Sequence, residues 1–223
     1  MAKFLHSQLA PSFLLETPIS YPKYLKFQES SRRLRRESFL FLDHRPCLTA
    51  GLAAKAENLL VPKSLLADEG IAYYEVSRGG DYTAHEPGQI VAYIHLDLKK
   101  RSITLIDFVN TLLQSVQNAS LEIWGLELIE NRSKPGLYLK DSPGQKLVSV
   151  GVLGKSYFTS FGIALNAVNH LKTFQYIHPC GGLAKDMVTV QSLGKIRDWE
   201  EERRRWVGAF LFHFDRLIYF LTK

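Results

Sequence analysis

The chain of 223 residues has only two cysteines, Cys47 and Cys180. That is too few for a disulfide framework, so the fold must rest on a packed core, and two thiols fit a reducing compartment. No apolar run approaches the ~18 residues of a membrane span. Residues 1–20 are broken by His6, Gln8 and Pro11 and offer no continuous apolar centre, which argues against a secretory leader. The expected location is the cytoplasm. Internal repeats and low-complexity segments are absent too. With 46% hydrophobic and 22% charged residues the composition excludes disordered, collagenous and coiled-coil classes. The net charge of +6 is mild, favouring an acidic partner without naming one. No zinc-finger or RNP signature supports nucleic-acid binding. Gly154-Lys155-Ser156 resembles the end of a phosphate-binding loop, but Ser149 stands where its first glycine is required, so no ATP site is read.

What is present reads as α+β. The spacing predicts a helix over 24–37 carrying Leu25, Phe27 and Leu34, with Arg32, Arg33, Arg35 and Arg36 available to an acidic partner or to solvent. Residues 38–43, 71–77 and 90–96 read as strands, and 78–88 as a Gly/Pro-punctuated loop. A helix begins after Thr104, with Leu105, Phe108, Val109, Leu112 and Val116 at helical spacing and Asp107 completing a capping box. Strands return at 121–128, 137–140, 146–153 and 157–165, with a turn at Ser142-Pro143-Gly144. Asp198 is placed to cap a last helix with Trp206, Phe210, Phe214, Leu217 and Leu221 on its packing face. Helices segregated from adjacent strands imply a mixed or antiparallel sheet flanked by helices. The division expected is an N-terminal extension (1–20), a catalytic domain (21–195) and a C-terminal amphipathic helix (196–223) packed on it.

Two residues stand out chemically. Cys180 sits in His178-Pro179-Cys180-Gly181-Gly182, where proline and glycines argue for a tight loop that exposes a thiol and nearby backbone N–H groups. Cys47 reads as a small buried hydrophobe. A reactive thiol needs a base or cation; His85, His170 and His178 are available, and so is Lys146, which opens the apolar run 147–152.

These pieces also fall in a specific order. Arg78-Gly79-Gly80, Thr83 and His85-Glu86-Pro87-Gly88-Gln89 precede Lys146, then Gly162-Ile163-Ala164-Leu165-Asn166, then Pro179-Cys180-Gly181. Together with Leu42-Asp43-His44-Arg45-Pro46, Thr49 and Gly51, they resemble the lipoyl(octanoyl) transferase family over roughly residues 20–195. The resemblance implies a fold like that of biotin and lipoate protein ligases, and octanoyl transfer from octanoyl-acyl carrier protein to a lysine of a lipoyl domain. Acceptors would be the 2-oxoacid dehydrogenases and the glycine-cleavage carrier protein. It implies Cys180 as thioester nucleophile and Lys146 as its activator, with no cofactor and no metal. The acyl pocket would comprise Arg78, Gly79, Gly80, Asp81, Tyr82, Thr83, Ala84 and His85, with Ser149, Val150, Gly151, Gly162, Ile163 and Ala164. An amidotransferase between lipoyl proteins and a non-catalytic acyl- or carrier-binding relative are the alternatives, and a monomer is expected. Glu86 and Phe161 depart from the family pattern, which has glycine and histidine there.

Overall fold

In the computed structural model, which describes residues 2–131, 134–179 and 182–222, every residue of the run Ser38–Leu42 is buried. Strand alternation sends Phe39 and Phe41 into one core and Leu40 and Leu42 into another, so this strand lies in a sheet covered on both faces. The elements are β1 (Ala2–Leu5), β2 (Ser12–Leu15), α1 (Tyr21–Leu34), β3 (Ser38–Leu42), β4 (Cys47–Ala50), α2 (Lys63–Asp68), β5 (Ala72–Glu75) and β6 (Tyr82–His85). There follow β7 (Gln89–His95), α3 (Leu98–Arg101), α4 (Leu105–Trp124), β8 (Leu128–Glu130), β9 (Leu137–Leu139), β10 (Ser142–Lys155), β11 (Phe158–Asn166) and α5 (Trp199–Leu221). The main sheet runs β1-β2-β3-β7-β11-β10-β9-β8, with β2–β3 parallel and its other pairs antiparallel; a smaller sheet runs β5-β4-β6.

Helices α4 and α5 cover one face of the main sheet. Thr104 and Asp107 form the expected capping box, and Asp198 accepts from the Glu201 N–H at the start of α5. Trp206, Phe210 and Phe214 of α5 stack in sequence, and Trp206 lies 6.1 Å from the Trp124 ring. The stripe then continues through Ile218, while Leu221 is exposed, because the apolar face follows 3.6 residues per turn. Among the described residues no helix is long and apolar enough to cross a membrane.

Four local readings are corrected. Helix α1 begins at Tyr21, with Pro22 in its first turn, and stops at Arg35, whose φ of 48° is left-handed. It buries Tyr21, Tyr24, Gln28 and Ser31, whereas Phe27 and Leu34 are exposed. The stretch 121–127 is not a strand, and β8 begins only at Leu128. The helix runs to Trp124, where Gly125 at φ 64° ends it, because Trp124 gains a buried contact with Trp206 and a 2.9 Å hydrogen bond to Glu202 Oε2. The loop read at 78–88 contains β6, paired along β4. The β9–β10 turn is Lys140-Asp141, closed by the Leu139–Ser142 pair, so Ser142-Pro143-Gly144 already belongs to β10.

Candidate active site

On the face opposite α4 and α5, the main sheet and the smaller sheet enclose a narrow cavity. Its wall comprises Tyr82, Thr83 and His85 from β6 of the smaller sheet, Arg78 from the turn before β6, and Ser149, Val150, Gly151, Gly162, Ile163 and Ala164 from β10 and β11. Tyr21, Tyr93 and Phe161 complete it. The first two carry no motif; only burial of alternate positions on β7 and the first turn of α1 brings them there.

Gly79, Gly80, Asp81 and Ala84 do not reach the wall but support it from behind. The Gly79 N–H donates to Val152 O at 3.1 Å, fastening the Arg78 turn to β10. The Gly80 carbonyl accepts from Ala53 N at 3.1 Å, and the Asp81 carboxylate accepts from Lys55 N and Asn58 Nδ2. Ala84 packs in the core of the smaller sheet. Gly162 has no room for a side chain, since a Cβ there would lie 2.1 Å from the Ala92 carbonyl oxygen.

The polar groups around the cavity are mostly held by one another. Arg78 donates from Nη2 to Thr49 O and Oγ1, both at 2.8 Å, and from Nη1 to Gly79 O. His44 Nδ1 donates to Ile19 O, which leaves Nε2 to accept from the Tyr93 hydroxyl at 2.8 Å. His85 Nδ1 lies 3.2 Å from Gln89 Oε1, whose amide nitrogen is spent on Ala84 O and Asn166 Oδ1, so this histidine also carries its proton on Nδ1. Burial drives His85 well below the ordinary histidine value, aided by nearby His44 and Arg78. The result is a cavity whose lining histidine, His85, is neutral and whose walls, apart from the hydrogen-bonded Arg78 and the hydroxyl residues Thr83 and Ser149, are largely apolar or aromatic, suited to an uncharged chain.

Burial likewise lowers His44 and His95 to about 4. Each stays neutral when folded while the unfolded residue, near 6.5, takes a proton. Their contribution is therefore complete above about pH 6.5 and is lost as pH falls toward 4, by up to about 3 kcal/mol for each group. Asp43 and Asp215, whose carboxyls burial raises, oppose this in sign. The urea midpoint should fall steadily from pH 7 to pH 4.5; a midpoint flat across that range would contradict these assignments.

Glu86 faces away from the cavity. Its carboxylate accepts from Leu171 N at 2.8 Å, from Thr173 N and from Asn169 Nδ2, holding the segment 169–173. The carboxylate thus supplies the acceptors that this turn of backbone requires.

Lys146 lies beyond the Ser149 end of the cavity. Strict alternation would put it on the face of Val148 and Val150, under the helices. Instead β10 pairs Lys146 with Tyr138 and then Val148 with Leu137, two residues against one, which is a β-bulge. Leu147 and Val148 consequently both enter the helix-side core, and Lys146 turns to the other face with Tyr138. Its side chain is 3% exposed, and Nζ donates to Pro135 O at 2.6 Å. It lines a second cavity with Tyr138, Asn131, Asp186, Pro179 and Gly182 among others.

Cys180 itself lies outside the described residues. Its neighbours Pro179 and Gly182 are joined by a 3.0 Å hydrogen bond from Gly182 N to Pro179 O, and both line the Lys146 cavity. The Lys146 carbonyl accepts from Val188 N at 3.0 Å, strapping the chain that follows to β10. Cys47, by contrast, is buried on β4 with its thiol pushed up by desolvation, as a packing residue should be.

Gly136 belongs to this site and no motif announces it. Its φ is 138°, and a Cβ there would meet Val148 O at 2.4 Å, Lys146 Cε at 2.5 Å and Nζ at 3.0 Å. The arginines at the end of α1 are partly committed elsewhere: Arg32 pairs with Glu29 at 2.7 Å and Arg35 with Asp97 at 2.6 Å. They sit at the far end of the sheet from Lys146.

Residues 17–210 match the family described as the lipoyl protein ligase A/B catalytic domain. An octanoyltransferase of Leptospira interrogans is 48% identical over 176 residues, covering 79% of this chain and 82% of that protein. The bipartite lipoate protein ligase of Thermoplasma acidophilum superposes with a TM-score of 0.69 at 16% identity, covering 97% of this chain and 92% of that one. The biotin protein ligase of Aquifex aeolicus superposes with a TM-score of 0.57 at 15% identity, covering 95% of this chain and 71% of that one.

Proposed function

This chain belongs to the lipoyl protein ligase A/B catalytic domain family, and from that premise we propose that it transfers octanoyl groups from acyl carrier protein to a lysine of lipoyl domains through a thioester on Cys180. The observation that carries this reading is the placement of Lys146. A strand bulge turns its buried amine into the cavity lined by Pro179 and Gly182, which bracket Cys180 in the chain, three residues along β10 from the first pair lining the acyl cavity.

The steps balance without a cofactor. The Cys180 thiolate attacks the acyl carbonyl, an S–C bond forms, and the pantetheine sulfur leaves with a proton from the Lys146 ammonium. Lys146, now a neutral amine, takes a proton from the incoming lysine as that nitrogen attacks the thioester. The amide forms and the Cys180 thiolate departs. Exchange of one thioester for another is nearly balanced, and amide formation is downhill. The apolar walls supply about 0.8 kcal/mol for each methylene they bury. A cytoplasmic setting keeps the nucleophilic thiol reduced.

Intact-mass spectrometry after incubation with octanoyl-acyl carrier protein tests this. The wild type should gain one octanoyl mass, discharged on adding a lipoyl domain, and Cys180→Ser should lack this dischargeable thioester. A wild type that gains no mass overturns the reading. Loading of Cys180 by an octanoylated protein in place of the carrier would instead identify an amidotransferase.

A further inference from the structure

Resting on the acyl-transfer reading, we infer that Phe161 is the end-stop of the acyl cavity and sets the length of chain this enzyme accepts. The register of β10 and β11 orders the wall. Moving away from Lys146, successive pairs are Ser149–Ala164, Val150–Ile163, Gly151–Gly162 and Val152–Phe161. The first three pairs and Phe161 line the cavity, whereas Val152 does not. An acyl chain attached near Lys146 therefore runs along three rungs and meets the phenyl ring. The walled stretch from the first rung to the last is about 10 Å at 3.3 Å per residue, which is about the length of eight carbons.

Phe161 is built to stay where it is. Its φ of 63° is a left-handed conformation that a bulky residue adopts only when its surroundings hold it. That conformation breaks the alternation of β11, so that Phe161 faces the cavity side together with Ala164. Its N–H donates to the Tyr24 hydroxyl at 3.0 Å, and its ring lies edge-on to Tyr24 at 5.7 Å and to Tyr93 at 6.3 Å. Tyr24 and Tyr93 are themselves stacked at 3.7 Å, so no space behind the ring lets it recede. At the same rung the hydrogen bond from Gly79 N, in the connection between β5 and β6, to Val152 O closes the cavity. A smaller or polar side chain at 161 would leave this end open.

The test is a competition between octanoyl- and dodecanoyl-acyl carrier protein in equal amounts, read as the ratio of the two adduct masses on Cys180. Phe161→Gly suits the left-handed backbone and keeps the N–H that Tyr24 accepts from. The dodecanoyl-to-octanoyl ratio should rise at least tenfold over the wild type. A ratio unchanged in the variant, or equal loss of both adducts from folded protein, overturns the inference. The wild type gives an independent check: its loading rate should drop at least tenfold between octanoyl and dodecanoyl, and equal rates for the two chains also overturn it. A wild type that loads neither chain contradicts the acyl-transfer reading itself, an outcome distinct from the others.

Discussion

Lys146→Met should slow acylation of Cys180 by about 10²- to 10⁴-fold, the usual contribution of a positioned acid–base group. Methionine has nearly the length of lysine and adapts to irregular spaces, so the bulge and its neighbours remain packed. The amine donates to Pro135 O at 2.6 Å, and losing that hydrogen bond costs on the order of 1 kcal/mol. Single-turnover loading followed by quenched mass spectrometry, alongside the thermal midpoint, separates the two effects. A variant that folds normally and loads Cys180 at the wild-type rate would remove Lys146 from the mechanism. The loss should appear in both halves of the cycle, because the same nitrogen gives a proton to the leaving thiolate and receives one from the acceptor lysine.

Gly136→Ala should cost about 10²-fold in the same rate with Lys146 still present, since a displacement of ~1 Å in a reacting group is worth that much. The added carbon would sit 2.4 Å from Val148 O and 2.5 Å from Lys146 Cε, at a φ of 138° that L-residues rarely adopt. The backbone contact cannot yield cheaply, so the β9–β10 pairing must shift, and the amine moves with it. A purely structural role would reduce the folded fraction and leave the rate per folded molecule unchanged. Titrating the loaded fraction against the thermal transition distinguishes the two, and an unchanged rate per folded molecule would assign Gly136 to folding alone.

Much of this was legible beforehand because it is written in local signals. The capping box at Thr104 and Asp107 and the Asp198 cap set two helix starts by themselves. The apolar run Phe39–Leu42 that follows Ser38 reads as a strand covered on both faces. The motif residues of the acyl cavity converge because β10 and β11 are hairpin neighbours that bring 149–151 opposite 162–164. Other readings failed where local preference met a distant partner. Residues 121–124 are strand-like in composition but stay helical because Trp124 packs on Trp206, 82 positions away in the chain. Glu86 looks like a charge placed beside His85, yet its acceptors are used by backbone N–H groups at 171 and 173.

The sequence by itself determined the α+β class, the helix caps and the order of the motifs, since each of these follows from composition, period or a short pattern, while Cys180 and Lys146 were singled out as nucleophile and activator only through the family resemblance. Only the tertiary structure decided where Lys146 and the cavity residues point. Alternation along 146–152 places Lys146 with the core valines. One extra residue against β9 reverses that, and Gly136 leaves the space the amine then occupies. Phe161 likewise turns into the cavity through a single left-handed residue pinned by Tyr24. Bulges and positive φ angles shift a side chain to the opposite face at a cost that only surrounding contacts can offset. Those contacts come from residues far away in the chain, which is why no local pattern announces them.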